Sequence, residues 1–142
     1  EIGVRLVGSE MCIRDRLSRI ASGGEISRIM LALKQIIAER DQVSVLVFDE
    51  IDAGISGKVA AAVARRLEVL ARSHQVITIT HLPQIASRAD HHFSVRKREV
   101  EGRTVTEILP LDDGERSDEI ALLLGGETVS PTARQHAEEM LK

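Results

Sequence analysis

Val43-Ser44-Val45-Leu46-Val47-Phe48-Asp49-Glu50-Ile51-Asp52-Ala53-Gly54-Ile55-Ser56-Gly57 is the stretch whose reading decides the fold. Four apolar residues, Val45 to Phe48, lead directly into two adjacent carboxylates, Asp49 and Glu50. A short continuous apolar run suits a strand buried on both faces, as in a parallel sheet. The C-terminal end of such a strand is where open α/β sheets place their ligands. Side chains alternate along a strand, so the two carboxylates leave it in different directions. One can hold a hydrated Mg²⁺ while the other faces a water to be activated, a division of labour that suits nucleotide hydrolysis. Taken alone, the run also fits a strand that merely ends in solvent.

Composition narrows the classes. The chain has 142 residues, enough for one domain with a real core. Hydrophobic residues are 43% and charged residues 29%, which is ordinary globular usage. A net charge of -3 offers no electrostatic attraction to nucleic acid or an anionic membrane. Phe48 and Phe93 are the only aromatics, which argues against stacking platforms for single-stranded bases. The single cysteine, Cys12, excludes an internal disulfide and a cysteine zinc cluster. No apolar run approaches membrane-spanning length, so no membrane partner and a cytoplasmic location are expected. Residues 1 to 16 carry no clear period, and Val7 to Arg16 resembles translated sequencing adapter. They are expected to be a foreign leader, with the domain running from 17 to 142.

Ser22-Gly23-Gly24-Glu25 has capping-box spacing and predicts a helix start. Ile26, Ile29, Met30, Leu33, Ile36 and Ile37 then recur at helical spacing to about Arg40, predicting a core-facing stripe. Two glycines in a first turn weaken a helix, so the backbone there is expected to approach something closely. A helix N-terminus with free N–H groups suits a phosphate. A well-capped helix with no ligand explains the same residues more plainly.

After the carboxylates, Ile51 to Gly57 reads as a loop of small residues, with Ser56 a cap for a helix carrying Val59, Val63, Leu67 and Leu70 to about Arg72. Gln75 to Thr80 predicts a second buried strand ending at His81. Strand, helix, strand over this distance is a βαβ unit with parallel strands and a right-handed crossover. His81 therefore leaves the same sheet edge as Asp49 and Glu50. A lone histidine at a strand end is more often structural, but here it is the third polar group converging on one edge.

In this order and spacing the pieces resemble the ATP-binding cassette type of ATPase head found in chromosome-maintenance (SMC) proteins. Ser22-Gly23-Gly24-Glu25 resembles the signature motif, Val45 to Glu50 the Walker B strand, Ile51 to Gly57 the D-loop and His81 the switch histidine. Ala21 to Arg28, Phe48 to Gly57 and Thr80 to Ala86 resemble a bacterial DNA-repair branch of that family more closely still, Asp52 to Gly57 being the most discriminating string. The resemblance implies an α/β fold, the C-terminal lobe of a P-loop NTPase head, with a mainly parallel sheet plus a C-terminal hairpin and helices. It implies ATP and Mg²⁺ as cofactors: Asp49 on the metal, Glu50 polarising the attacking water and His81 on the γ-phosphate. Ser22, Gly23, Gly24 and Glu25 would close on the ATP of a second subunit, and Asp52 would link the two sites. The implied partners are a second copy in a head-to-head homodimer, DNA, and an N-terminal lobe with a coiled coil belonging to the same protein. The implied role is recombinational repair of double-strand breaks.

One departure stands out. No Gly-x-x-x-x-Gly-Lys-Ser/Thr occurs in the sequence, so the triphosphate cradle and the coiled coil are not among these residues. The chain is expected to be half a head and inactive alone. Two other classes fit less well. Transporter nucleotide-binding subunits usually carry glutamine where this chain has Glu25, and a non-hydrolysing DNA clamp has little use for Glu50. Further along, Pro83 to Ala89 predicts a short helix with Gln84 and Ile85 near the site edge. His91 and His92 read as surface residues. Phe93 to Leu109, turning at Glu101-Gly102, predicts a hairpin whose Arg96, Lys97, Arg98 and Arg103 read as a charged edge rather than a phosphate contact. Ser117 to Leu124 and a segment opened by Ser130-Pro131 predict the last helices.

Overall fold

In the computed structural model, Val45–Phe48 forms strand β1 and Gln75–Thr78 forms β2, joined by helix α2 over Gly57–Ala71. The residues described are 21–38, 40, 42–100, 102–126 and 128–142, so the leader assignment for 1 to 16 lies outside them. The two strands run parallel in the register Val45↔Gln75 to Phe48↔Thr78, which brings Asp49 and the residues after Thr78 to one edge. Helix α1, Gly23–Ile37, precedes this unit. A four-residue turn of helix, α3 (Pro83–Ala86), follows it. The antiparallel hairpin β3–β4, Phe93–Val100 with Arg103–Pro110, makes a second two-stranded sheet. Helices α4 (Asp113–Gly125) and α5 (Pro131–Met140) pack together at the end.

The core sits on one side of the parallel pair. Leu46 and Phe48 point into it, against Val63, Ala64, Leu67 and Leu70 of α2, with Leu31, Ile51 and Ile85 closing the cluster. Each fully buried aliphatic side chain here stabilises the fold by about 1.5–3 kcal/mol. The other side is bare: Val45, Val47, Ile77 and Ile79 are all exposed. A second cluster joins Ala86 to Ile120, Ala121 and Ala137.

Three expectations need correction. The predicted core-facing stripe of α1 does not face this core: Ile26, Ile29, Met30, Leu33, Ile36 and Ile37 are exposed, Ile36 at 80%, and only Leu31 and Gly24 are buried. The helix presents its narrow side to α2, where the Gln35 side-chain N–H donates to the Arg66 carbonyl at 2.8 Å. Periodicity identified an apolar face but not what covers it. On α2, Val59 is 52% exposed, and Ala60 and Ala64 take the buried positions instead. Helix α4 begins at Asp113 rather than Ser117, because Asp112 and Glu115 form a reciprocal capping box that sequence reading missed: Glu115 N–H donates to Asp112 at 2.8 Å and Asp112 N–H to Glu115 at 3.0 Å.

Candidate functional site

The chain leaves β1 through Asp49 into Glu50, which adopts a left-handed φ of 55°. A non-glycine residue there costs on the order of 1–3 kcal/mol and persists only where its surroundings hold it. Those surroundings come from α1. Ser27 Oγ donates to the Asp49 carbonyl at 2.8 Å. One guanidinium nitrogen of Arg28 donates to the carbonyls of Ile51 at 3.1 Å and Ala53 at 2.9 Å. The turn closes on itself as Ala53 N–H donates to the Glu50 carbonyl at 3.0 Å. Asp49 is exposed, and one of its carboxylate oxygens accepts the Glu50 N–H at 2.9 Å, which fixes its direction.

The paired glycines have a cause inside the chain. A Cβ on Gly24 would lie 2.7 Å from the Glu50 carbonyl and 2.8 Å from Ala53 Cβ, closer than real Cβ contacts come. A Cβ on Gly23 would collide with the carboxylate of Glu50 itself. The predicted close approach of backbone is therefore present, and the neighbour is the carboxylate loop of the same chain. Ser22 caps α1 as its spacing requires. Its N–H and Oγ donate to one Glu25 carboxylate oxygen at 2.8 and 2.9 Å, and Glu25 N–H donates back to Ser22 Oγ at 3.4 Å. The hydrogen bonds from Ser22, backbone first, hold the Glu25 carboxyl below its ordinary range, with help from Arg28.

At the end of β2, Thr80 and His81 turn toward Asp52. One Asp52 oxygen accepts Thr80 Oγ–H at 2.5 Å and His81 N–H at 2.8 Å, and lies 3.0 Å from His81 Nδ1. Asp52 is 4% exposed. Burial pushes its carboxyl up, but the bonds from Thr80 and the His81 backbone, with the His81 ring, prevail and hold it below the ordinary value. Within this chain the carboxylate is held by partners on the next strand end, because the Glu50–Ala53 turn carries it inward beneath the Thr80 and His81 donors.

The geometry thus joins Glu50 with Gly23 and Asp52 with His81, on the edge where β1 and β2 both end. Arg28 and Ser27 were missed by sequence reading, and nothing in their spacing distinguishes them from ordinary helix-surface residues. Ile85 is buried in the core cluster that includes Phe48 and Ile51, and Gln84 lines a groove with Arg65 and Arg88. His92 is half-buried rather than a surface residue, and its Nδ1 is buried without a hydrogen-bond partner. Arg96 and Arg98 pair with Glu119 and Glu107 at 3.6 and 2.6 Å.

Among the described residues no group of three His, Cys, Asp or Glu could hold a metal ion by itself. One directed carboxylate, Asp49, still fits Mg²⁺, which keeps several waters and takes its remaining ligands from nucleotide phosphates.

No family model matches the chain. A solved chain whose structure is described as "Structural biochemistry of ATP-driven dimerization and DNA stimulated activation of SMC ATPases" superposes with a TM-score of 0.52 at 26% identity, covering 71% of this chain and 60% of that one. Together with the strand-end geometry, this makes the fold that of the C-terminal lobe of an SMC/ABC-type ATPase head. The curated relatives make it more particular. The DNA repair protein RecN of Deinococcus radiodurans is 51% identical over 125 residues, that of Halalkalibacterium halodurans 46% over 125, and that of Bacillus subtilis 44% over 126. The chain matches the C-terminal part of those RecN proteins. These matches cover 88–89% of this chain and 22% of each relative.

Proposed function

We propose that these residues supply the water-activating and signature half of an ATPase head acting in recombinational repair of DNA double-strand breaks. The observation that carries this is the convergence of Asp49, Glu50 and the Asp52–His81 pair on one end of a parallel strand pair. Glu50 accepts a proton from water as the water oxygen attacks the γ-phosphorus, the bond from that phosphorus to the β–γ bridging oxygen breaks, and ADP leaves with phosphate as the second product. Asp52 holds the His81 ring by Nδ1, so that Nε2 is the nitrogen turned to the γ-phosphate. Asp49 would hold Mg²⁺, which when bound neutralises charge on the β- and γ-phosphates. Ser22, Gly23 and Gly24, with the free N–H groups of the α1 N-terminus, face the nucleotide of a second copy. The triphosphate cradle comes from a phosphate loop outside these residues, and DNA is the macromolecular partner of the assembled dimer. That role places the protein in the bacterial cytoplasm, at the nucleoid. Among the described residues, no helix is long and apolar enough to cross a membrane.

The test is Glu50→Gln in a full-length RecN-family protein carrying these residues. Size and hydrogen bonding are kept, and the proton acceptor is lost. Turnover should fall roughly a hundredfold or more while ATP still binds and ATP-bound dimers accumulate. Undiminished steady-state turnover removes Glu50 from this role.

A further inference from the structure

Glu50 is bracketed by α1. The peptide carbonyl before it, of Asp49, is held by Ser27 at 2.8 Å. Two carbonyls after it, of Ile51 and Ala53, are held by a single nitrogen of Arg28 at 3.1 and 2.9 Å. Three carbonyls at alternate positions are thus tied to adjacent residues of one helix, and the residue between them has the unfavourable φ of 55°. The Glu50 carboxylate lies against Gly23, one turn earlier on that helix. The acceptors are backbone carbonyls, so the restraint acts on the path of the loop and through it on where the carboxylate can stand.

We propose that Arg28 is a positioning residue that locks the Glu50 turn to the signature helix, so that Ser22–Glu25 and the water-activating carboxylate of one chain move as a single unit. The proposal rests on the reading of Glu50 as the proton acceptor. Its consequence is a coupling between sites. In a head-to-head dimer the signature end of a chain meets the partner's nucleotide, whereas its Glu50 serves its own nucleotide. A shift of α1 on engaging one nucleotide is carried by Arg28 and Ser27 to the loop beside the other. Arg28 suits this better than lysine would, because a planar guanidinium aims two N–H bonds from one nitrogen in a fixed direction.

The experiment uses full-length protein of the RecN family carrying these residues, with steady-state ATP turnover, ATP affinity and ATP-driven dimerisation measured in parallel. Arg28→Ala should lower kcat about 10- to 100-fold, the scale of an ångström-sized misplacement, with the KM for ATP changed by less than about twofold and dimerisation retained. Arg28→Lys should recover part of the loss by reaching one carbonyl. Ser27→Ala, which removes a single surface hydrogen bond, should shift kcat in the same direction by less, and it carries the test if Arg28→Ala does not fold. Unchanged kcat in these variants overturns the proposal. So does a fall in ATP affinity or dimerisation in step with kcat, which marks a merely structural role. Glu50→Gln run alongside separates the two ideas. If it abolishes turnover while the Arg28 and Ser27 variants do not, only the positioning role fails. If it leaves turnover intact, the reading of the site fails first.

Discussion

His81 and Asp52 meet at 3.0 Å, Nδ1 to Oδ2, across the gap between the end of β2 and the loop after β1. Their exposures are opposite, 72% for the histidine side chain and 5% for the aspartate. A buried carboxylate with a histidine standing over it in solvent fixes the direction of the ring. With Nδ1–H donated inward, Nε2 is the nitrogen offered to a ligand.

Replacing Asp52 by Asn should therefore reduce ATP turnover in the full-length protein more than it reduces folding. The amide keeps an acceptor oxygen for Thr80, His81 N–H and Nδ1 but removes the negative charge that strengthens all three bonds. The weakened bonds should cost about 1–3 kcal/mol in stability. Turnover should drop about 10- to 100-fold as the ring loses its orientation. The charge also has a signature in acid. The folded Asp52 carboxyl lies below its ordinary value, 3.8, so its contribution to stability is complete above that pH and is lost as pH falls through the folded value. Acid unfolding of Asp52→Asn should lack that component. Turnover equal to wild type would show that His81 needs no partner to act.

Much of this site was legible because it lies where chain direction is decided locally. The run Val45–Phe48 could form little except a strand, and Asp49 and Glu50 had to leave at its end. His81 was placed on the same edge by the parallel βαβ unit alone. What stayed hidden depends on three-dimensional neighbours. The run of small residues that marked Asp52 as a loop carboxylate could not show that Thr80 and His81 would arrive above it, 28 and 29 positions later. Arg28 falls on a helix face that sequence alone assigns to solvent, yet it reaches 23 and 25 positions ahead to backbone carbonyls. The apolar stripe of α1 misled for the opposite reason: a pattern reports which residues avoid water, and here the described residues supply no cover for Ile29, Leu33 or Ile37.

His92 sets a second pH dependence. Burial first, then the Arg116 guanidinium, push its pKa below the ordinary 6.5, while Glu119 opposes them. A base depressed in the folded state gives up its proton there more readily than in the unfolded chain. The unfolded chain therefore takes up the proton first on acidification. Stability is full above 6.5 and declines as pH falls through the folded value. Thermal unfolding of the full-length protein between about pH 7.5 and 5 should show a falling midpoint, and His92→Gln should flatten that fall. An unaltered slope in the variant would place the dependence on other groups.

The last prediction follows from the bare side of the parallel pair. Val45, Val47, Ile77 and Ile79 lie exposed on β1, β2 and the residue that follows β2, and Ile26, Ile29, Met30, Leu33 and Ile37 are exposed on α1. Apolar surface of this extent marks a face that another segment or molecule covers. Among the described residues no further strand pairs with β1 or β2, and an unpaired sheet edge adds backbone donors and acceptors to such a face. The 142 residues also contain no phosphate loop. Purified alone, the chain should self-associate, with light scattering reporting species larger than a monomer. Calorimetry should detect no tight ATP binding, and turnover should stay at background, because phosphoryl transfer depends on a cradle that positions the triphosphate. Co-expression with the N-terminal remainder of a RecN-family protein should reduce the self-association and restore ATP binding together, since one docked partner covers the apolar face and supplies the cradle. A monomeric chain that hydrolyses ATP by itself, and stops doing so in Glu50→Gln, would show that a complete site exists here without a phosphate loop. The assignment of these residues as half of a head would then be wrong.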